Sequence, residues 1–351
     1  MPKRLFYVKE SDLDPYQVKI IRRNSDSSLI VQGCAGSGKS ILALWKAKQI
    51  QDEGKGTYLY VVYAKSLKRF VADGIRQIGI NEQNVENYNQ CFVWTRDENN
   101  KWHQGDWKKG IYDYIIVDEA QDFSKEDILL FKSKARKALL LYGDSAQQLF
   151  KFFHDKETIS MEAMAYFTSF PTEKLVFNHR LPQKIARLAE RINSQNDDLV
   201  NRCQNEGVEK PYLIEYNSFE EQMDAIAEII KARHFEDVGI LFKQNDQVKM
   251  AAEYLRNKGL TIEAKINDNI DLDFSSSNPK IMTYHSSKGL QFEAVFLPEC
   301  SASANDDLNP LYVAITRTYQ SLYIMHSGNL SSYFNAIPED IFETTEETEE
   351  L

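Results

Sequence analysis

Long apolar runs are missing from this sequence. No stretch of its 351 residues approaches the roughly 20 consecutive apolar residues of a membrane-spanning helix, and the opening MPKRLFYVKESDLDPYQ has no apolar segment of signal-peptide length. These absences argue against a membrane partner and predict a cytoplasmic location. Cysteine is scarce. Cys34, Cys91, Cys203 and Cys300 stand far apart, which excludes a zinc ribbon and a disulfide framework and leaves reduced thiols as the expected state. A surplus of positive charge is missing as well. Lys and Arg number 42 against 52 Asp and Glu, a net charge of −10, which taken whole argues against a partner rich in phosphates.

That whole-chain charge is concentrated at one end. Residues 338–351, PEDIFETTEETEEL, carry seven acidic side chains and no basic one, so the remainder is only three charges from neutral. The segment reads as a disordered, solvated tail. The body keeps basic stretches, AKSLKR at 64–69 and KSKARK at 132–137, that would allow a local basic groove.

What is present is a globular composition, 42% hydrophobic and 27% charged, on a chain long enough for two domains. The first half alternates β-rich runs, SLIVQG (28–33), TYLYVVY (57–63), YIIVDEA (114–120) and ALLLYGD (138–144), with helical patterns such as 40–54. Near-continuous apolar strands between helices predict a parallel sheet covered on both faces, hence an α/β domain over 1–170. After Phe170–Pro171 the alternation returns. Helices are expected over 181–195 and 219–233, and strands over 212–216, 238–242, 280–285, 294–299 and 321–326, giving a second α/β domain over 171–337.

GCAGSGKS, Gly33 to Ser40, follows an expected strand and opens an expected helix. In that setting Gly33, Ala35, Gly36, Ser37 and Gly38 curl the backbone so that N–H groups converge on one anion, and the helix N-terminus adds partial positive charge. Lys39 would neutralise the β- and γ-phosphates of ATP, and Ser40 would ligate Mg²⁺. Downstream, IIVDEAQDFS (115–124) packs Asp118, Glu119, Gln121 and Asp122 directly behind a buried strand. Asp118 at the strand tip would share the Mg²⁺ with Ser40, and Glu119 would take the proton of the attacking water.

These segments belong to an ordered series: Gln17 in LDPYQ, GCAGSGKS, VVYAKSL (61–67), VDEAQD (117–122), GDSAQQLF (143–150), FNHR (177–180), MTYHSSKGLQF (282–292) and LYVAITR (311–317). The series resembles the motifs of the UvrD/Rep-like superfamily 1A DNA helicases. The resemblance implies two RecA-like P-loop domains, each a mainly parallel sheet flanked by helices, with ATP in the cleft between them. It implies adenine recognition by Gln17, sensing of the γ-phosphate by Gln147, and arginine fingers at Arg180 and Arg317. Tyr63, Phe150 and Phe152 would stack on bases, and His285 would contact the nucleic-acid backbone.

The chain departs from the family at named places. His179 stands where a tyrosine commonly stacks on adenine, Gln291 where a glutamate commonly contacts the nucleotide sugar, and Ile41 where the residue is often basic. The gaps that usually hold the 1B and 2B accessory domains are short. Residues 80–112, with Trp94, Trp102 and Trp107, read either as a small remnant touching the strand or as an ordinary irregular connection. Two functions fit. One is a compact ATP-dependent translocase or helicase moving 3′ to 5′ on single-stranded DNA; the other is a nucleic-acid-responsive ATPase switch that regulates a protein partner, such as a nuclease, without unwinding. RNA stays open as the track, because 2′-hydroxyl contacts leave no signature in these motifs.

Overall fold

In a computed structural model the chain forms two compact units, one ending at Phe177 and the other beginning at Asn178. The structure describes all residues except 1–8, 64, 99, 101, 148–151, 154–155, 193–197, 268, 301–307, 329–333, 335–336 and 344–351.

The first unit opens with α1 (Pro15–Arg22), capped by Asp14, whose carboxylate accepts from the backbone N–H groups of Tyr16 and Gln17. Then β1 (Leu29–Gly33), α2 (Lys39–Asp52), β2 (Tyr58–Val62), α3 (Lys65–Ile78) and β3 (Val85–Asn87) alternate. A hairpin of β4 (Phe92–Arg96) and β5 (Trp102–Trp107) precedes β6 (Tyr112–Val117), α4 (Lys125–Lys134) and β7 (Ala135–Gly143). The short pair β8 (Phe152–Phe153) and β9 (Lys156–Glu157), α5 (Met161–Thr168) and β10 (Thr172–Leu175) follow.

Six strands of this unit form a parallel sheet in the order β10-β1-β7-β6-β2-β3. Its interior strands are apolar almost throughout because helices cover both faces. Ile30, Leu59, Val61, Ile115, Val117, Leu139 and Leu141 pack with Phe123, Phe131 and Met164 in one cluster. Since β1, β7 and β6 are neighbours, the loops leaving their C-terminal ends are brought side by side.

Strand β10 moves the division between units beyond the Phe170–Pro171 break expected from sequence. Ile30 N donates to Pro171 O at 3.0 Å, so the proline leads directly into an edge strand of the first sheet, a place where a missing N–H costs no ladder bond.

The tryptophan-bearing segment is no irregular connection but an antiparallel hairpin. Phe92 and Trp107 meet edge-to-face at 5.5 Å, and Trp107 meets Phe131 at 5.9 Å, which roots the hairpin on the core. Trp102, at 59% exposure, stands toward the far end with the Arg96 guanidinium 5.6 Å from its ring. The KSKARK stretch does not gather into a groove. Lys132 lies over Phe170, Arg136 reaches Asp113 at 3.3 Å, and Lys137 donates to Lys55 O at 2.6 Å. Lys68, from the other basic stretch, is held by Glu86 and Gln90.

The second unit begins with β11 (Asn178–Pro182), α6 (Gln183–Ile192), α7 (Leu199–Arg202) and β12 (Cys203–Asn205), the two strands pairing in parallel. Then come β13 (Tyr212–Tyr216), α8 (Phe219–Arg233), β14 (Val238–Phe242), α9 (Asn245–Asn257), β15 (Glu263–Ile266), β16 (Asn269–Asp271), β17 (Lys280–Thr283), β18 (Phe292–Leu297), α10 (Asn309–Ile315) and β19 (Thr318–Ser327). Its seven-stranded sheet runs β13-β19-β18-β14-β17-β15-β16, with every pairing parallel except β15 with β16. Tyr212, Tyr323 and Phe296 stack in a ladder across three strands, with centroids 4.9 and 4.6 Å apart.

The expectation of a disordered tail from residue 338 is corrected for its first part. Glu339–Ile341 forms a 3₁₀ turn, Ile341 and Phe342 are buried, and Glu343 N donates to Pro211 O at 3.1 Å. Two apolar side chains among the acids are enough to bind this stretch to the unit. Among the described residues no helix is long and apolar enough to cross a membrane.

Candidate active site

The phosphate loop hangs between β1 and α2. Gly38 occupies the N-cap of α2 with φ 86°, a left-handed conformation that favours glycine, and it supplies no capping side chain. A Cβ at Gly38 would also sit 2.7 Å from Gln17 Nε2. The first N–H groups of α2 therefore remain available to an anion, with the helix dipole behind them. Lys39 is buried, and its ammonium donates to Gly33 O at 2.7 Å and Cys34 O at 2.9 Å. Ser37 Oγ donates to Cys34 O at 2.8 Å. Gln17, expected to read adenine, here braces the loop: Nε2 donates to Ser37 O at 3.1 Å while Oε1 accepts from Asp14 N at 3.1 Å.

The carboxylates stand beyond the end of β6. Asp118 is fully buried; Oδ2 accepts from Tyr60 OH at 3.1 Å and Oδ1 accepts from Glu119 N at 3.0 Å. Burial, and then the charge of neighbouring Glu119, push the Asp118 carboxyl up to about 6, against the opposing pull of Ser40, Tyr60 and Lys39. Burial and the nearby Asp118 in turn raise the phenols of Tyr60 and Tyr142. Two adjoining buried acids, the Asp118 carboxyl among them raised, favour a cation beside them. Among the described residues no group of three His, Cys, Asp or Glu side chains forms a complete metal cage. A hydroxyl and one carboxylate suit Mg²⁺, which keeps waters and substrate phosphate oxygens as its other ligands. Ser40 and Asp118 fit that role.

Glu119 adopts φ 55° and ψ 45°, sparsely populated for a residue with a side chain, and opens the 3₁₀ turn Ala120–Asp122. The turn carries Gln121 back over the acid, and Gln121 Nε2 donates to Glu119 Oε2 at 2.6 Å. Gln121 Oε1 accepts from Asp144 N at 2.9 Å, just beyond the end of β7. The Asp144 carboxylate accepts from Ala146 N at 3.0 Å and from Gln147 Nε2 at 2.6 Å. Glu119 and Gln147, both expected at the site, thus lie at the two ends of one network. Gln121, Asp144 and Tyr60 received no role from sequence. The only signal for the first two was their position directly behind apolar strands.

In the second unit, Arg180 and Arg317 converge on Thr316. Arg180 Nη2 donates to Thr316 O at 2.9 Å; Arg317 Nη2 donates to Thr316 Oγ1 at 3.0 Å, Nε to Val313 O at 2.8 Å and Nη1 to Leu290 O at 3.4 Å. Arg317 is 2% exposed, its guanidinium turned inward. His179, on β11, is exposed, and Gln291 stands half-buried just before β18.

Of the residues expected to grip nucleic acid, Tyr63 is half-buried and meets Phe123 edge-to-face at 5.8 Å, a contact with the core. His285 is exposed and opens the 3₁₀ turn after β17. Phe152 belongs to β8, and Phe150 lies outside the described residues.

No curated protein matches the chain. The structure is similar to the C-terminal domain of a possible DNA helicase from Lactobacillus plantarum WCFS1, with 19% identity and a TM-score of 0.38 over 47% of this chain and 96% of that one. It is similar to the PRRSV helicase, with 16% identity and a TM-score of 0.47 over 89% of this chain and 54% of that one. It is also similar to an arterivirus helicase, nonstructural protein 10, solved in complex with DNA, with 17% identity and a TM-score of 0.43 over 88% of this chain and 62% of that one. The chain thus spans only part of the length of the two viral proteins. Residues 280–325, from β17 into β19, match the UvrD-like helicase C-terminal domain family. The matched stretch contains two of the ordered segments, MTYHSSKGLQF (282–292) and LYVAITR (311–317).

Proposed function

We propose that the chain is an ATP-driven motor on single-stranded DNA, moving 3′ to 5′ by hydrolysing ATP. The observation that carries this reading is buried Asp118, next to Glu119, with its carboxyl under the influence of Ser40 and Lys39 from the glycine-rich loop. Bound through Ser40 and Asp118, Mg²⁺ would supply positive charge to the phosphates. Lys39 exchanges the carbonyls of Gly33 and Cys34 for phosphate oxygens. Glu119 takes the proton from the attacking water, and Gln147 meets the terminal phosphate. Arg180 and Arg317 add positive charge where negative charge spreads in the transition state, a contribution of roughly 10³ to 10⁵ in rate in P-loop enzymes. Tyr63, Phe150, Phe152 and His285 grip the strand, and the grip changes with the nucleotide state.

Steady-state ATP hydrolysis with and without single-stranded DNA or RNA, with Lys39→Ala as control, tests this reading. Stimulation by one polymer names the track, and displacement of streptavidin from one labelled strand end gives movement and direction. The inward-turned guanidinium of Arg317 favours a second reading, an ATPase switch that controls a protein partner. Strand-stimulated hydrolysis without movement on any track selects the switch over the motor.

A further inference from the structure

We infer that Gln121 is the positioning residue for Glu119, and that it places the base by tying it to the end of β7. The inference rests on the hydrolytic reading of the site. A backbone N–H can only donate, so the hydrogen bond from Asp144 N determines which end of the Gln121 amide is oxygen. The amide nitrogen must then face Glu119 Oε2, 2.6 Å away. The orientation of Gln121 therefore follows from the chemistry of its partners. Gln121 is fully buried, and both ends of its amide are satisfied by elements that leave neighbouring strands, β6 and β7.

The surroundings are shaped for this bridge. Glu119 sits in a left-handed conformation that a residue with a side chain keeps only where its neighbours hold it. Gly143 supplies the room: a Cβ there would lie 2.6 Å from Gln121 Oε1 and 2.4 Å from Met161 Sδ. A neutral amide holds the carboxylate by a directed hydrogen bond and brings no charge of its own. Both ends of the Gln121 amide are engaged within the protein, by Glu119 and by Asp144 N. Its effect on turnover passes through Glu119, with the Asp144 end of the bridge fixing where the donor points.

The test compares the full-length wild type with Gln121→Glu and Gln121→Ala, measuring kcat and KM for ATP with saturating single-stranded DNA. Affinity for a non-hydrolysable ATP analogue and thermal unfolding are measured alongside. Gln121→Glu matches the native side chain in size and still accepts from Asp144 N, but it replaces the donor that faces Glu119. Both variants are expected to bind the analogue within about 3-fold of wild type and to lose about 10²-fold in kcat, the scale of a misplaced catalytic group. Where Gln121→Ala does not fold, Gln121→Glu decides alone. Turnover of Gln121→Glu within 3-fold of wild type, in a wild type that hydrolyses ATP, overturns the inference and leaves the hydrolytic reading standing. A wild type that binds the analogue yet releases no phosphate under any of these conditions overturns both together.

Discussion

The ammonium of Lys39 lies 2.7 Å from the carbonyl oxygen of Gly33, so the cation proposed to meet phosphate is held by the loop itself. The second carbonyl, of Cys34, is 2.9 Å away. Phosphate oxygens compete for an ammonium that is already in place and already desolvated.

Lys39→Ala removes that cation and both hydrogen bonds. ATP hydrolysis is expected to fall by at least 10²-fold, since one directed charge on the transferred group contributes a few kcal/mol in the transition state. Stability should fall as well, by about 1–3 kcal/mol, because the two carbonyls that lose their donor are buried. Phosphate release and calorimetric unfolding check the two halves of this expectation.

Asp118 supplies a pH signature. Its carboxyl is raised to about 6 in the folded chain, against about 3.9 in an unfolded one. A raised carboxyl favours folding fully below the unfolded value and loses that contribution as pH rises through the folded one. At pH 7.5 Asp118→Asn is therefore expected to be the more stable protein, by about 3 kcal/mol at most, with the gap closing toward pH 4. Unfolding midpoints of both proteins across pH 4–8 measure the gap. In the wild type, Mg²⁺ with ATP should close it at pH 7.5.

Arg180 and Arg317 share Thr316 but are embedded differently. Arg317 is 2% exposed and donates to the carbonyls of Val313 and Leu290, whereas Arg180 is half-buried. Arg317→Ala leaves buried acceptors without donors and is expected to destabilise the protein by about 2–4 kcal/mol, more than Arg180→Ala. Denaturant unfolding of the two variants gives the order. Equal midpoints would mean that the inward contacts of Arg317 contribute little.

Gly143→Ala places a methyl group against Met161 and the Gln121 oxygen. Overpacking of this kind costs about 1–3 kcal/mol. Because the methyl also presses on the amide that holds Glu119, kcat should fall along with stability, while affinity for an ATP analogue changes little. Gly239→Ala, whose Cβ would meet Phe292 at 2.6 Å in the second unit, should cost stability without that selective loss of kcat.

Much of this protein was written locally. Apolar runs between helical patterns placed β1, β2, β6 and β7 within a few residues, because strands buried on both faces leave little freedom of composition. YLIEY, the helix at 219–233 and VGILF appear in the structure with the bounds read from sequence. The strand, glycine-rich turn and helix start at GCAGSGKS and the strand-end position of Asp118 were legible for the same reason, because each forms within one short segment.

What the sequence could not determine depends on which strands become neighbours. Strand β10 is a short, polar edge strand, and its place beside β1 appears only when the sheet is assembled, so the division between units was read too early. Ile341 and Phe342 were hidden in an acidic run, and only the surface they meet explains why that stretch is ordered. Gln121 and Asp144 lie 23 positions apart, and their contact exists because β6 and β7 pair in parallel and end together. Residue types and local turns are properties of a segment and survive in its letters. Hydrogen bonds between segments require the register of the sheet, which the chain acquires only by folding.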